Sequence, residues 1–302
     1  MNWQTYCDAD LAPLAAVWAA AEAASPHSVY QKFAFARHWA ACFGQEIEVR
    51  IGWRADPPMV VPVAIRAGCW GLLGEELFDY QDLIGEPSHQ QEAAAWASGQ
   101  LQGPACVTGV AVTSPWSSFW NQMPLKPQPF AAAPVRDAGP DNLAAEHARL
   151  ERRWQAARVE LCRVEEAAAR RHALDWLLDR KARACAARGQ RNALGERECR
   201  WLAVMVEKEA QISELWQLRR RGEALAGLLC WRTPQLRYAY TIGYEPAVAE
   251  LSPGILALYA LLRHTMREGL GFNFLTGEQA FKLRFASRSE PLLRFQTDHV
   301  KQ

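Results

Sequence analysis

The order of apolar periodicities from residue 166 onward restricts the fold more than any other feature of the chain. Residues 166–187 carry apolar positions at helical spacing, with Leu174, Leu177, Leu178 and Lys181 on one side, and 196–208 form a second helical stretch. Three strand-length runs follow closely, 212–218, 224–231 and 236–243, separated by the turn sequences Arg-Arg-Gly-Glu and Thr-Pro-Gln. Residues 254–268 then predict a strong helix with Ile255, Leu258, Tyr259, Leu262 and Met266 in register. Gly269 and Gly271 end it, and 272–275 reads as a short strand. Helix, helix, three-strand meander, helix, strand describes an α+β layer and not a doubly wound sheet. Ahead of this block, 141–155 predicts a helix with Leu143, His147, Leu150 and Trp154 on one stripe, and 158–164 alternates like a strand.

The first half is also mixed. Asp8 and Asp10 precede Leu11, Leu14, Ala15 and Trp18 at helical spacing, and 31–42 predicts a second helix ended by Gly44. Residues 46–53 and 59–65 read as two strands joined by Asp56-Pro57-Pro58, with 105–112 as a further strand. Ser88 is placed to cap a helix over 89–98, stopped by Gly99. Between 114 and 140 lie 6 of the 17 prolines, which predicts a connection without a long regular element, made sticky by Trp116, Phe119 and Trp120. The expected organisation is an N-terminal domain over 1–125, a proline-rich connection over 126–140 and a C-terminal domain over 141–302.

Half of the residues are hydrophobic and 22% are charged, so a packed core is expected and general disorder is not. The net charge of +1 gives no reason to expect nucleic acid or an anionic membrane as the main partner. It hides an asymmetry: residues 1–100 carry 5 Lys+Arg against 12 Asp+Glu, whereas the remainder carries 29 against 21. The eight cysteines form no C-x-x-C pair and no close cluster with histidine, so no zinc site is expected, and the thiols read as buried and reduced in a cytoplasmic protein. Acidic residues near the start do not fit a signal peptide, and no apolar run is long enough to span a bilayer.

The chemistry concentrates between 238 and 286. A strand ends in a loop with two prolines, and Ser252-Pro253-Gly254 opens a helix. Serine can cap such a helix, proline is tolerated in its first turn, and the free backbone N–H groups there suit a phosphate. Taken alone, the same three residues read first as an ordinary helix start. The combination Gly-Tyr-Glu-Pro-x4-Leu-Ser-Pro-Gly, a helix, and Phe-Asn-Phe-Leu-Thr-Gly-Glu-x-x-Phe-Lys resembles the C-terminal half of the CelD/BcsL acetyltransferases. These enzymes of cellulose and exopolysaccharide biosynthesis belong to the GNAT superfamily and are related to the FemX-type peptidyltransferases. The tail RFASRSEPLLRF, and earlier PVAIR and FDYQDLI, are similar to the same family.

The resemblance implies an α+β fold of two tandem GNAT-like domains, mixed sheets flanked by helices, with acetyl-CoA or another acyl-CoA as substrate and no metal. It implies a diphosphate on the amides of Ser252, Gly254 and Ile255, Tyr244 and Asn273 beside the bound donor, and the acyl group near Tyr240. Asp82, Tyr240, Glu278 and Lys282 become candidates for the transfer step, with Asp82 in an acidic loop that also holds Asp79 and Tyr80. Three positions depart from the family: Asn273 and Glu278 stand where Asp is common, and Phe281 where Tyr is. Asn273 cannot act as a base, and Phe281 cannot protonate a leaving thiolate. Lys282 also has Glu278 four residues earlier as an ordinary ion-pair partner.

Other residues read as structural. Trp154, Trp176, Trp201, Trp216 and Trp231 are at core-like positions, and His38, His147, His172 and His264 show no ligand spacing. The run 149–191, with 12 Arg+Lys against 6 acids, reads as a solvated helical face. Three functions stay open. The first is acyl transfer from acyl-CoA to an amine or hydroxyl, on a small molecule or glycan. The second is aminoacyl transfer from charged tRNA, since FemX relatives meet tRNA through a comparable basic region. The third is a non-catalytic scaffold among polysaccharide-synthesis proteins.

Overall fold

The computed structural model describes residues 3–25, 28–74, 77–139 and 144–297, with backbone alone for 144–147. The chain divides into two compact units: Met1–Ala132 with Glu290–Gln302, and Ala133–Ser289. The division after Ala132 falls within the expected connection over 126–140, whereas the segment from Glu290 groups with the first unit and not with the second. The predicted helix start at Asp141 and Leu143 and the side chain of His147 lie outside the described residues.

The first unit contains β1 (Gln4–Tyr6), α1 (Ala15–Ala24), α2 (Phe33–Phe43), β2 (Glu48–Ala55), β3 (Pro58–Arg66), β4 (Cys69–Leu72), β5 (Ile84–Gly85), α3 (Gln90–Gly99), β6 (Cys106–Ala111) and α4 (Ser117–Gln122). β1, β2, β3 and β4 pair antiparallel in that order, and β5 pairs with β3. Met59 through Ala64 are all buried, because α1 packs on β3 from one side and the alanines of α3 from the other. A strand covered on both faces reads as a continuous apolar run, not an alternating one. Ser88 does not cap α3: His89 precedes it, with no side-chain bond.

The proline-rich connection is more regular than expected. It holds α4, whose Phe119 and Trp120 are buried, and the strand β7 (Lys126–Arg136). Pro134 is tolerated because its carbonyl, not the N–H it lacks, makes the strand contact, accepting from Phe274 N at 2.9 Å. The final strand, β13 (Arg288–Gln296), pairs antiparallel with β6 and stacks Phe295 on Trp120 at 5.0 Å.

The second unit runs α5 (Ala144–Ala157), β8 (Glu160–Val164), α6 (Ala167–Ala187), α7 (Glu196–Lys208), β9 (Ser213–Arg220), β10 (Glu223–Arg232), β11 (Leu236–Tyr244), α8 (Pro253–Arg267), β12 (Gly271–Asn273) and α9 (Ala280–Leu283). β8 to β11 form an antiparallel series, β12 runs parallel to β11, and the end of β7 pairs with β12. Glu166 caps α6 through both carboxylate oxygens, at 2.9 Å to Ala168 N and 2.6 Å to Ala169 N.

α6 and α8 pack on β10 and β11, and two glycines set how closely α6 approaches. Gly227 and Gly243 face each other across β10 and β11, and a Cβ on Gly243 would stand 2.7 Å from the Leu177 carbonyl oxygen of α6. Against α8, the fully buried guanidinium of Arg237 bonds Glu214 (Nε–Oε2 2.7 Å), Glu268 (2.8 Å) and Thr265. Burial alone would raise the Glu214 carboxyl. The hydrogen bond and charge of Arg237, followed by Trp216 and Arg163, outweigh burial and hold it below the usual carboxylate range.

The basic run is only partly a solvated face. Arg170 is buried and bonds Val206 O and Ser213, Arg171 pairs with Asp175 and Glu207, and Arg180 pairs with Glu245. Trp201, Trp216 and Trp231 are core residues as expected, whereas Trp154 and Trp176 are half-buried. All eight thiols are free, but only Cys230 is buried. Among the described residues, no group of His, Cys, Asp and Glu could hold a metal, and no helix is long and apolar enough to cross a membrane.

Candidate active site in the second unit

β11 and β12 are paired only at Leu236–Gly271, Arg237–Phe272 and Tyr238–Asn273. β12 ends there, while β11 continues to Tyr244. Residues 239–244 therefore present a backbone edge that no strand covers among the described residues. Two parallel strands that separate in this way leave a wedge between them.

A bulge lies at the mouth of that wedge. Leu229 pairs with Thr241 and Cys230 with Ala239, so Tyr240 has no residue opposite it on β10. The extra residue turns the strand locally and shifts its alternation. Ala239, Ile242 and Tyr244 lie against the core beneath α8, whereas Gly243 meets α6. Tyr240 is half-buried against Trp231 (5.1 Å between ring centroids) and Trp201 (6.4 Å).

The start of α8 sits on the same strand. A Cβ at Gly254 would touch Ile242 Cδ1 at 3.4 Å and Tyr244 Cδ1 at 3.5 Å, ordinary contact distances. The expected serine cap is absent: Ser252 has a left-handed backbone (φ 51°) and makes no side-chain cap bond. Its carbonyl instead accepts from Ile255 N (3.0 Å) and Leu256 N (3.1 Å). Pro253 has no N–H. Gly254 N is thus the first-turn amide without an intrachain acceptor among the described residues, and the anion site expected of three residues narrows to one.

Cations gather at the approach to this turn. Arg188 at the end of α6 donates to Tyr244 Oη (2.9 Å), Arg153 of α5 donates to Leu251 O (2.9 Å), and Arg180 pairs with Glu245 (2.8 Å). No spacing rule singled these arginines out from the rest of the basic run, since they meet only through the fold.

The remaining candidates have separate places. Asn273 is buried at the end of β12, and its Oδ1 accepts from Leu275 N at 2.8 Å, which orders the turn after the strand. Lys282 on α9 does not pair with Glu278. Its ammonium donates to Thr276 O at 2.7 Å, tying α9 to the same turn, and Glu278 is exposed. Phe281 packs against the core beneath α8.

Asp82 belongs to the first unit. It accepts from Ser114 Oγ (2.5 Å), Trp120 Nε1 (3.0 Å) and Leu83 N (3.0 Å) beside a narrow recess partly open to solvent. Burial pushes its carboxyl up to about 6, against the opposing pull of those hydrogen bonds. Asp79 Oδ2 accepts from Tyr30 Oη, and Tyr80 Oη donates to Glu290. The second unit thus brings together Tyr240, Tyr244, Gly254 and Asn273 around β11, while Asp82 is a hub for three donors in the first.

Residues 142–283 match the family described as Acetyltransferase (GNAT) domain. No curated protein matches the chain. Several solved structures share the fold at low identity. The C-terminal domain of a putative lysylphosphatidylglycerol synthetase from Agrobacterium fabrum superposes with a TM-score of 0.63 at 14% identity, covering 93% of this chain and 92% of that one. FemX gives 0.64 at 9% identity, covering 93% and 94%. A tandem GNAT protein from the clavulanic acid biosynthesis pathway gives 0.50 at 10% identity, covering 98% of each chain. The fold is a mixed α+β arrangement of sheets flanked by helices, similar to these GNAT-like structures, and residues 142–283 match an acetyltransferase (GNAT) domain.

Proposed function

We propose that the second unit transfers an acyl group from acyl-coenzyme A to an amine or hydroxyl acceptor. The reading rests on one observation: β11 parts from β12 beside the free amide of Gly254. A diphosphate on Gly254 N, near Arg188 and Arg153, directs the pantetheine arm into the wedge along 239–244. The edge amides beside the Tyr240 bulge then face the thioester carbonyl.

The acceptor attacks that carbonyl carbon and forms a tetrahedral oxyanion held by backbone N–H groups. The C–S bond breaks, the thiolate leaves, and the acceptor's proton passes to a base or water. Asn273 cannot take this proton. Glu278, the exposed carboxylate in the turn after β12, is the second unit's candidate for it. Tyr240 flanks the acyl group, Tyr244 and Ile255 border the donor, and Lys282 keeps the turn at Thr276 in place. Asp82, in the first unit, takes no step in this transfer, because its oxygens already accept three hydrogen bonds. The glycan or cell-envelope setting is supported by the motif resemblance over 238–286 alone.

The test is calorimetric titration of the full chain with acetyl-CoA, longer acyl-CoAs and CoA. The companion variant is Gly254→Asp. Its Cβ meets only ordinary contacts, and a carboxylate favours a helix N-terminus, so the fold is retained while a bound diphosphate is repelled. Micromolar binding that Gly254→Asp abolishes supports the reading, and no binding of any CoA species would falsify it.

A second reading, aminoacyl transfer, draws on the lysylphosphatidylglycerol synthetase and FemX folds. Its basic surface is reduced by the pairing of Arg171 and Arg180 with acids and by the burial of Arg170. Salt-sensitive tRNA binding, with no affinity for acyl-CoA, would favour it.

A further inference from the structure

Thr241 follows the bulge residue directly and carries a hydroxyl in a buried place. The residue is 7% exposed, and Oγ1 has no hydrogen-bond partner among the described residues. A threonine hydroxyl has one proton to donate and two lone pairs to satisfy, and leaving all of them unmet in a buried place is costly. Valine has nearly the same shape without that cost. A structural role would therefore be served at least as well by valine, whereas a hydroxyl at this position suits a ligand that supplies the missing partner.

Its place on β11 says which part of a ligand that would be. Thr241 lies two residues before Gly243 and beyond the bulge, so it stands on the same face as Gly243, towards α6, with Leu177 and Lys181 of that helix against Gly243. Gly254 contacts Ile242 and Tyr244 on the opposite face. From Tyr244 back to Tyr240 the strand covers about 13 Å, at about 3.3 Å per residue. A carrier anchored at Gly254 and extended along the uncovered edge of β11 reaches Tyr240 and Thr241 over that length. The wall there is aromatic, made of Tyr240, Trp231 and Trp201. In such surroundings one hydroxyl is a strong discriminator between a group that can accept a hydrogen bond and one that cannot.

We propose that Thr241 Oγ1 donates a hydrogen bond to the thioester carbonyl oxygen of the bound donor, making Thr241 the residue that distinguishes acyl-CoA from free CoA. The inference rests on the acyl-CoA reading above. Free CoA has no acyl carbonyl, so the bond exists for one ligand and not for the other.

The test measures acetyl-CoA and CoA affinities for the full chain and for Thr241→Val and Thr241→Ser, with a melting curve for each. Thr241→Val is expected to weaken acetyl-CoA roughly tenfold, the effect of one hydrogen bond, and to leave CoA unchanged. Thr241→Ser keeps the hydroxyl and should hold acetyl-CoA within about threefold of the parent chain. The melting temperature of Thr241→Val should equal or exceed that of the parent. Equal loss of both ligands, or loss of neither, overturns the assignment. So does a clear fall in melting temperature on Thr241→Val, because the hydroxyl would then have an internal partner. If the parent chain binds neither ligand, the acyl-CoA reading fails as well; if it binds both and the variants do not separate them, only Thr241 fails.

Discussion

Arg237→Met should destabilise the second unit by about 3–5 kcal/mol, the usual cost of stripping one partner from a buried ion pair. The guanidinium is 0% exposed and Glu214 is 1% exposed, so water replaces little of what is lost. Methionine spans the stem but removes the bonds to Glu214, Glu268 and Thr265. Glu214 keeps Trp216 Nε1 (3.1 Å) and Arg232 (3.2 Å), which moves the expected cost towards the lower end of that range. For a unit of this size each kcal/mol moves the melting midpoint by roughly 2–4 °C, so a fall of roughly 6–20 °C is expected by circular dichroism.

The pH dependence gives a second arm. A carboxyl held below its unfolded value adds stability that is fully present above about pH 4.3 and is lost as pH falls through the folded value. Removing Arg237 removes the main counterweight to burial at Glu214. The gap between the parent chain and the variant should therefore be widest near neutrality and narrow as pH falls below the ordinary carboxylate range. Replacing both partners, Glu214→Leu with Arg237→Met, should recover part of the loss, because no uncompensated charge remains. A loss below about 1 kcal/mol, or a gap that ignores pH, would refute the view that this pair is buried and mutually dependent.

Three further outcomes follow from the geometry. Gly243→Ala drives a Cβ to 2.7 Å from the Leu177 carbonyl and should cost about 1–3 kcal/mol in urea unfolding; an unchanged midpoint would contradict the close approach of α6. Burial pushes the Asp82 carboxyl up to about 6, so the first unit should lose stability as pH rises from about 4 to about 6. Asp82→Asn should flatten that slope, and a slope that persists in the variant would assign it to another group. Lys282→Met deprives the Thr276 carbonyl of its donor, and amide exchange over 275–279 should quicken with a global loss of only about 1 kcal/mol; unaltered exchange would show that Asn273 alone orders the turn.

Much of the second unit was legible in the sequence because its elements are long and amphipathic. The helix at 196–208 and the meander at 212–243 depend on local periodicity, and burial in the fold follows the same stripes. The strand β7 was not legible, since its prolines argue against a regular element unless one knows that Pro134 meets Phe274 through its carbonyl. Ser252 likewise has the composition of a cap, but its left-handed backbone turns the side chain away from that role. The pairing of residues 292–296 with 106–111, in the first unit, depends on contacts between segments far apart in the chain, which no local pattern encodes.

The candidate site divides in the same way. Residue types alone pointed to Ser252-Pro253-Gly254 as a helix opening that suits a phosphate, after a strand over 236–243, because turn chemistry and helix ends are local properties of the chain; Tyr240 and Tyr244 became candidates through the family resemblance. Only the tertiary structure decided that β12 stops at Asn273 while β11 continues, that Tyr240 bulges out of register, and that Thr241 keeps a buried hydroxyl without an intrachain partner among the described residues. Those facts concern where one strand ends relative to another. Hydrogen-bond register between distant segments is set by the packing of the whole sheet, so it can be described only once the chain has folded.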